Sequence, residues 1–142
     1  MGIQDEESPK YFLKRINDHY KISMSSLSKI SSFPEDIILK YANDDDDLSH
    51  EIKSELTQYM LLFTESMESC EEDERVQRLI SGMMQEFDIS VESIGMYAKI
   101  SSEEVENFLE DANSLSVEKR YRLGVTVLFL HFICYTKHRR EL

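Results

Sequence analysis

Apolar residues recur along this chain at the three- and four-residue spacing of amphipathic helices. The spacing predicts helices over most of the chain, and Ser8-Pro9 suits the start of the first because proline is tolerated in a first turn. The predicted helices run approximately over residues 9–20, 24–30, 35–42, 49–67, 76–87, 91–98, 102–111 and 117–138. The pattern therefore predicts an all-α protein.

The apolar pattern also repeats after 67 positions, so that Ile22-Ser23-Met24 falls on Ile89-Ser90-Val91. A repeat of fixed period predicts copies of one folding unit, and two copies are too few for a solenoid. We predict two four-helix modules, at residues 8–68 and 75–140. Each would have a thin core, so we expect the modules to dock on each other or on a second chain. The acidic run from Glu68 to Glu74 is either their boundary or part of one continuous helix, since it contains neither Gly nor Pro.

The inner part of each module carries a matching series of apolar and small residues. In residues 22–42 the series is Leu27, Ser28, Phe33, Ile38 and Tyr41, and in residues 89–109 it is Ile94, Gly95, Ile100, Val105 and Phe108. Both segments resemble the helix-turn-helix of phage repressor and Cro-like proteins, in which two short crossing helices share a core with an apolar turn residue. Both depart from that pattern at the turn, where Ser32 and Lys99 replace the usual glycine. A tight left-handed turn is correspondingly less favoured there.

The resemblance implies a DNA-binding regulator of a bacterial or phage type, with the start of the second motif helix in the major groove. In the first module the implied DNA-contacting residues include Glu35, Asp36 and Lys40, and Lys21 and Lys29 could contact phosphates. The implied base-contacting positions of the second module contain no basic residue: Ser101, Ser102, Glu103, Glu106 and Asn107. We therefore expect any DNA binding to use the first module.

Net charge leaves a second function open. The chain carries -12 overall, with 0 in residues 1–40, -16 in residues 41–117 and +4 in residues 118–142. An acidic surface repels phosphates and favours basic partners. The alternative function is therefore a protein-binding module with degenerate helix-turn-helix motifs that binds a basic protein instead of DNA. A third interpretation keeps the motif as a packing unit only.

The last predicted helix is apolar on all sides, from Leu123 to Ile133. A lone module of this size covers only one side of such a helix, so its far side should meet another surface. We expect an interface between the modules, or between two chains in a homodimer. Its predicted residues are Leu61, Leu62, Leu128, Phe129 and Phe132. The basic end of the helix, residues 137–140, would complement the helix dipole.

The sequence contains no pattern typical of a catalytic, metal or cofactor site. The four histidines lack ligand spacing, and the Asp44–Asp47 run lacks the glycine of a calcium loop. Cys70 and Cys134 are far apart, which favours free thiols in a reducing cytosol. The longest apolar run, residues 124–135, is about half the ~20 residues that cross a bilayer. We therefore expect a non-enzymatic cytoplasmic protein with no cofactor, no metal and no membrane partner.

Overall fold

The computed structural model describes residues 8–136, and over that part of the chain the secondary structure is helical, without strands. The helices are α1 (Pro9–Lys14), α2 (Met24–Ser31), α3 (Glu35–Ala42), α4 (His50–Leu61), α5 (Glu72–Phe87), α6 (Val91–Ala98), α7 (Ser102–Glu110) and α8 (Val117–Cys134). Helix α1 continues as a π-helical turn, Arg15–His19, and α4 continues through a π-helical turn, Leu62–Ser66, into Met67–Ser69. The all-α prediction is confirmed. The predicted end of the last helix near residue 138 lies outside the described residues.

The chain divides into two compact units, one ending at Ser69 and the other beginning at Cys70. The helical extension of α4 ends at Ser69 and α5 begins at Glu72, so the acidic run does not form one continuous helix. Helix α5 also begins earlier than the predicted residue 76. Its first turn holds three carboxylates from the acidic run, residues 72–74. Carboxylates there are stabilised by the positive end of the helix dipole.

The first unit packs one core from its four helices and their extensions. Ile16, Leu27 and Ile38 are fully or almost fully buried. Leu56 and Met60 of α4 complete the core. Burial raises the pKa of the Tyr41 hydroxyl, which lies 2.7 Å from the Thr57 hydroxyl. Packing of these apolar faces, more than helix propensity, stabilises helices this short.

The second unit has its own core between α5, α6, α7 and α8. Ile80, Ile94 and Val105 have no exposed surface. From α8, Leu123 and Val127 are fully buried in this core, one helical turn apart. The core therefore uses one stripe of α8, and the opposite side of that helix faces outward.

Serine residues begin most of the helices. Each accepts a hydrogen bond on its side chain from a backbone N–H of the first turn, as is usual for a serine N-cap. The capping residues are Ser8, Ser23, Ser49, Ser90, Ser101 and Ser116.

Between residues 8 and 136, no helix is long and apolar enough to cross a membrane.

Candidate nucleic-acid interface

Helices α2 and α3 are joined by a left-handed turn, and so are α6 and α7. Ser32 has φ 66° and Lys99 has φ 62°, both in the left-handed region that favours glycine. The N–H of Ser32 donates to the carbonyl of Ser28 at 2.9 Å, and the N–H of Lys99 caps the end of α6. The tight turn therefore forms in both units without a glycine.

The small residue of the motif has a different role in each unit. In α6, Gly95 packs against the backbone of the turn, and a Cβ at this position would lie only 2.8 Å from the carbonyl oxygen of Ile100. In α2, the hydroxyl of Ser28 instead donates to the carbonyl of Phe33 at 2.7 Å. In the second unit, glycine lets the backbone of the turn approach α6 closely. In the first unit, serine adds a hydrogen bond across the turn.

Helix α8 supports the turn of the second unit. Arg122 donates from Nε to the carbonyl of Ala98 at 2.7 Å and from Nη2 to the carbonyl of Lys99 at 3.4 Å. Lys119 donates to Glu104 of α7 at 2.5 Å, and this bond, with one from the backbone of Ser101, lowers the pKa of the Glu104 carboxyl. Sequence reasoning missed these contacts because they join residues far apart in the chain.

All five predicted DNA-contacting residues lie exposed on the helix-turn-helix of the first unit. Lys21 precedes α2, and Lys29 lies in its last turn. Glu35 and Asp36 form the first turn of α3, whereas Lys40 lies in its last turn. The structure thus brings three cations and two carboxylates to the surface of one helix pair.

Within residues 8–136, Arg15 and Lys53 of the first unit form ion pairs, whereas the lysines of its motif do not. Within the described chain, Lys21, Lys29 and Lys40 form no ion pair. In the second unit, four of the basic side chains lie within ion-pair distance of carboxylates, in the pairs Arg78–Glu74, Lys119–Glu104, Arg120–Asp73 and Arg122–Glu118. The cations of the first motif are therefore open to an external anion, whereas most of those in the second unit are engaged.

Helix α7, the second motif helix of the second unit, has the opposite charge. It contains no Lys or Arg, and Glu103, Glu106 and Glu110 are exposed on it. The fourth carboxylate of α7, Glu104, is the one held by Lys119. This surface repels a phosphate backbone.

The residues of the predicted apolar interface are likewise exposed. They are Leu61, Leu62, Leu128, Phe129 and Phe132. Cys70 and Cys134 are free thiols. In the part of the chain that the structure describes, no group of His, Cys, Asp and Glu side chains is arranged to hold a metal ion.

Comparison with protein families and known proteins places the chain in a family. A family model described as a helix-turn-helix domain matches residues 4–140. No curated protein matches the chain, and no solved structure matches it. The family match covers most of the chain, including both helix pairs described above.

Proposed function

This chain belongs to the helix-turn-helix domain family, and we propose that it is a non-enzymatic transcriptional regulator that binds double-stranded DNA through α2 and α3. The proposal rests mainly on three lysines of the first motif, Lys21, Lys29 and Lys40, which are exposed and form no ion pair with any residue from 8 to 136. Lysines of this kind neutralise phosphates and release counterions, which supplies most of the non-specific affinity for DNA. The second unit, in which four cations are paired with carboxylates and α7 is acidic, stays off the DNA.

In this mechanism the lysines position the protein on the duplex, and α3 distinguishes between base sequences. Phosphate contacts from Lys21, Lys29 and Lys40 fix the helix pair on the duplex without reading sequence. The start of α3 then faces the major groove, where Glu35 and Asp36 accept hydrogen bonds from cytosine N4. Carboxylates beside phosphates weaken binding to all other sequences, so selectivity comes with low non-specific affinity.

The proposal includes the duplication suggested by the 67-residue repeat. The two units are then copies of one repressor-like module, at residues 8–68 and 75–140, of which the first keeps the DNA-binding role. The duplication is supported by the left-handed turn that joins the two motif helices in both units, at Ser32 and at Lys99.

Fluorescence anisotropy with labelled mixed-sequence duplex DNA tests DNA binding directly. We expect binding at low salt that weakens as salt increases, and its loss in the Lys29→Glu, Lys40→Glu double variant. Lys99→Glu is the matched control for the single variant Lys29→Glu, because Lys99 is also exposed and forms no ion pair within residues 8–136. An equal loss in Lys99→Glu, or no binding at low salt, would refute binding through the first motif.

The acidic α7 favours a second candidate function, binding of a basic protein. Three of its carboxylates are exposed, and no Lys or Arg lies on the same helix. Under this alternative, a lysine-rich peptide binds the protein, and the Glu103→Gln, Glu106→Gln double variant loses that binding. The Lys29→Glu, Lys40→Glu variant would keep it, which separates the two functions.

A further inference from the structure

One side of α8 presents a continuous apolar surface, which we name the α8 face. Its six side chains lie along one stripe opposite the buried Leu123 and Val127, with 43% to 74% of each exposed. They are Val117, Tyr121, Val125, Leu128, Phe129 and Phe132. Phe129 and Phe132 stack with their ring centroids 6.2 Å apart, and together with Val125 and Leu128 they line a shallow groove. A contiguous apolar surface of this kind is typical of an interaction site.

The C-terminal part of this face, from Val125 to Phe132, lies on an uncharged stretch of α8, whereas Val117 and Tyr121 share a groove with Glu72, Asp73 and Arg120. No Asp, Glu, Lys or Arg occurs between Leu123 and Thr136, although the whole chain carries -12. A basic protein or an acidic nucleic acid would find no ionic partner along this part of α8. A second copy of the same face is itself uncharged along this part of α8, so packing the two faces together buries no unpaired charge there.

Helix α4 offers a less suitable cover. The positions 67 residues before the α8 face are His50, Ser54, Gln58, Leu61, Leu62 and Glu65. Only Leu61 and Leu62 are apolar. Glu65 is charged, and its Oε1 lies 3.7 Å from Nη1 of Arg15. Placing α4 on the α8 face would bury polar groups and a carboxylate against aromatic rings, which is unfavourable without new hydrogen bonds.

We propose that two copies of this protein form a homodimer in which the α8 faces pack against each other about a two-fold axis. Such an interface is self-complementary, so one exposed stripe supplies both sides. At about 150 Å² for each whole side chain, scaled by the exposed fractions, the six offer about 550 Å² per copy. The total of about 1,100 Å² exceeds the about 1,000 Å² expected of a biological interface. The inference does not depend on DNA binding.

Light scattering coupled to size-exclusion chromatography tests the dimer on the full chain. We expect a dimer at about 100 µM, and conversion to a monomer in Leu128→Glu and in Phe129→Glu, with the dissociation constant raised at least about 100-fold. Two controls carry the same new charge elsewhere. Met96→Glu alters an exposed apolar residue of the same unit that lies outside the α8 face, and Leu62→Glu alters the π-helical turn that continues α4. Both should remain dimeric.

Every outcome decides the proposal once far-UV circular dichroism shows that each variant keeps its helix content. Monomeric wild-type protein at about 100 µM would overturn it, because an interface of this size should persist at that concentration. Loss of the dimer in Leu62→Glu would assign the interface to α4. Retention of the dimer in both Leu128→Glu and Phe129→Glu would place the contact on another surface. Dimer loss confined to these two variants would support the α8 interface.

Discussion

Replacing Gly95 by Ala should destabilise the second unit, whereas the same change at Gly82 should stabilise it. Both glycines lie in helices without positive φ, so alanine gains about 0.5–1 kcal/mol of intrinsic stability at either position. At Gly82 a new Cβ has no neighbour within 4 Å. At Gly95 it meets the Ile100 oxygen at 2.8 Å and the Ser101 carbonyl group at 3.3 Å, all of them backbone atoms. The turn must therefore shift, and overpacking of this kind costs about 1–3 kcal/mol.

The difference in unfolding free energy between Gly95→Ala and Gly82→Ala measures this steric cost, because the gain in helix propensity is common to both variants. We expect Gly95→Ala to be less stable than Gly82→Ala by about 1–3 kcal/mol in free energy of unfolding. Equilibrium urea denaturation followed by circular dichroism measures it, with equal denaturant slopes showing that only stability has changed. If Gly95→Ala were as stable as Gly82→Ala, the close approach of the turn to α6 would be refuted.

Three further predictions concern the turn, the ion pairs and the groove-facing carboxylates. Lys99→Gly should raise the free energy of unfolding by about 1 kcal/mol, because glycine removes the steric strain of a Cβ at a left-handed position. A loss of stability in urea denaturation would contradict this. The hydrogen bond from Lys119 lowers the pKa of Glu104 in the folded state. The ionised Glu104 therefore stabilises the fold at pH values above its ordinary pKa, and this stabilisation is lost as the pH falls through the lowered pKa. Glu104→Gln should therefore flatten the decline in stability below about pH 4.3. An unchanged dependence of the unfolding free energy on pH, measured by denaturation in acid and at neutral pH, would refute the ion pair. The Glu35→Gln, Asp36→Asn double variant should bind mixed-sequence DNA more tightly at low salt, because two carboxylates no longer repel phosphates; unchanged affinity in anisotropy titrations would show that α3 does not face the duplex.

The sequence was sufficient to predict the helices, because their apolar spacing and serine starts are local signals. The bounds of α3 and α6 match the predicted ranges, 35–42 and 91–98. Helix α5 begins before the predicted residue 76, because the carboxylates of residues 72–74 form its first turn and do not mark a boundary. The capping box of Ser101 and Glu104 follows the Ser-x-x-Glu pattern, which is a further local signal for the start of α7.

The site was less predictable, since its support comes from distant residues. The absence of glycine at Ser32 and Lys99 argued against the tight turn, yet both residues adopt it. In the second unit, Arg122 binds the carbonyl groups at the end of α6 across more than 20 residues of sequence. Likewise, no local pattern shows which cations are engaged by carboxylates, so the difference between Lys40 and Lys119 emerged only from the fold. The duplication and the DNA-binding role of the lysines stay predictions.

The salt dependence of DNA affinity tests the central claim most directly. The logarithm of the binding constant falls with the logarithm of salt concentration by about 0.9 for each phosphate neutralised. Replacing Lys29 and Lys40 by Ala should therefore make the slope shallower by about 1.8 and weaken binding at every salt concentration. An unchanged slope in this variant, or no binding by the wild-type protein at low salt, would contradict binding of DNA through α2 and α3.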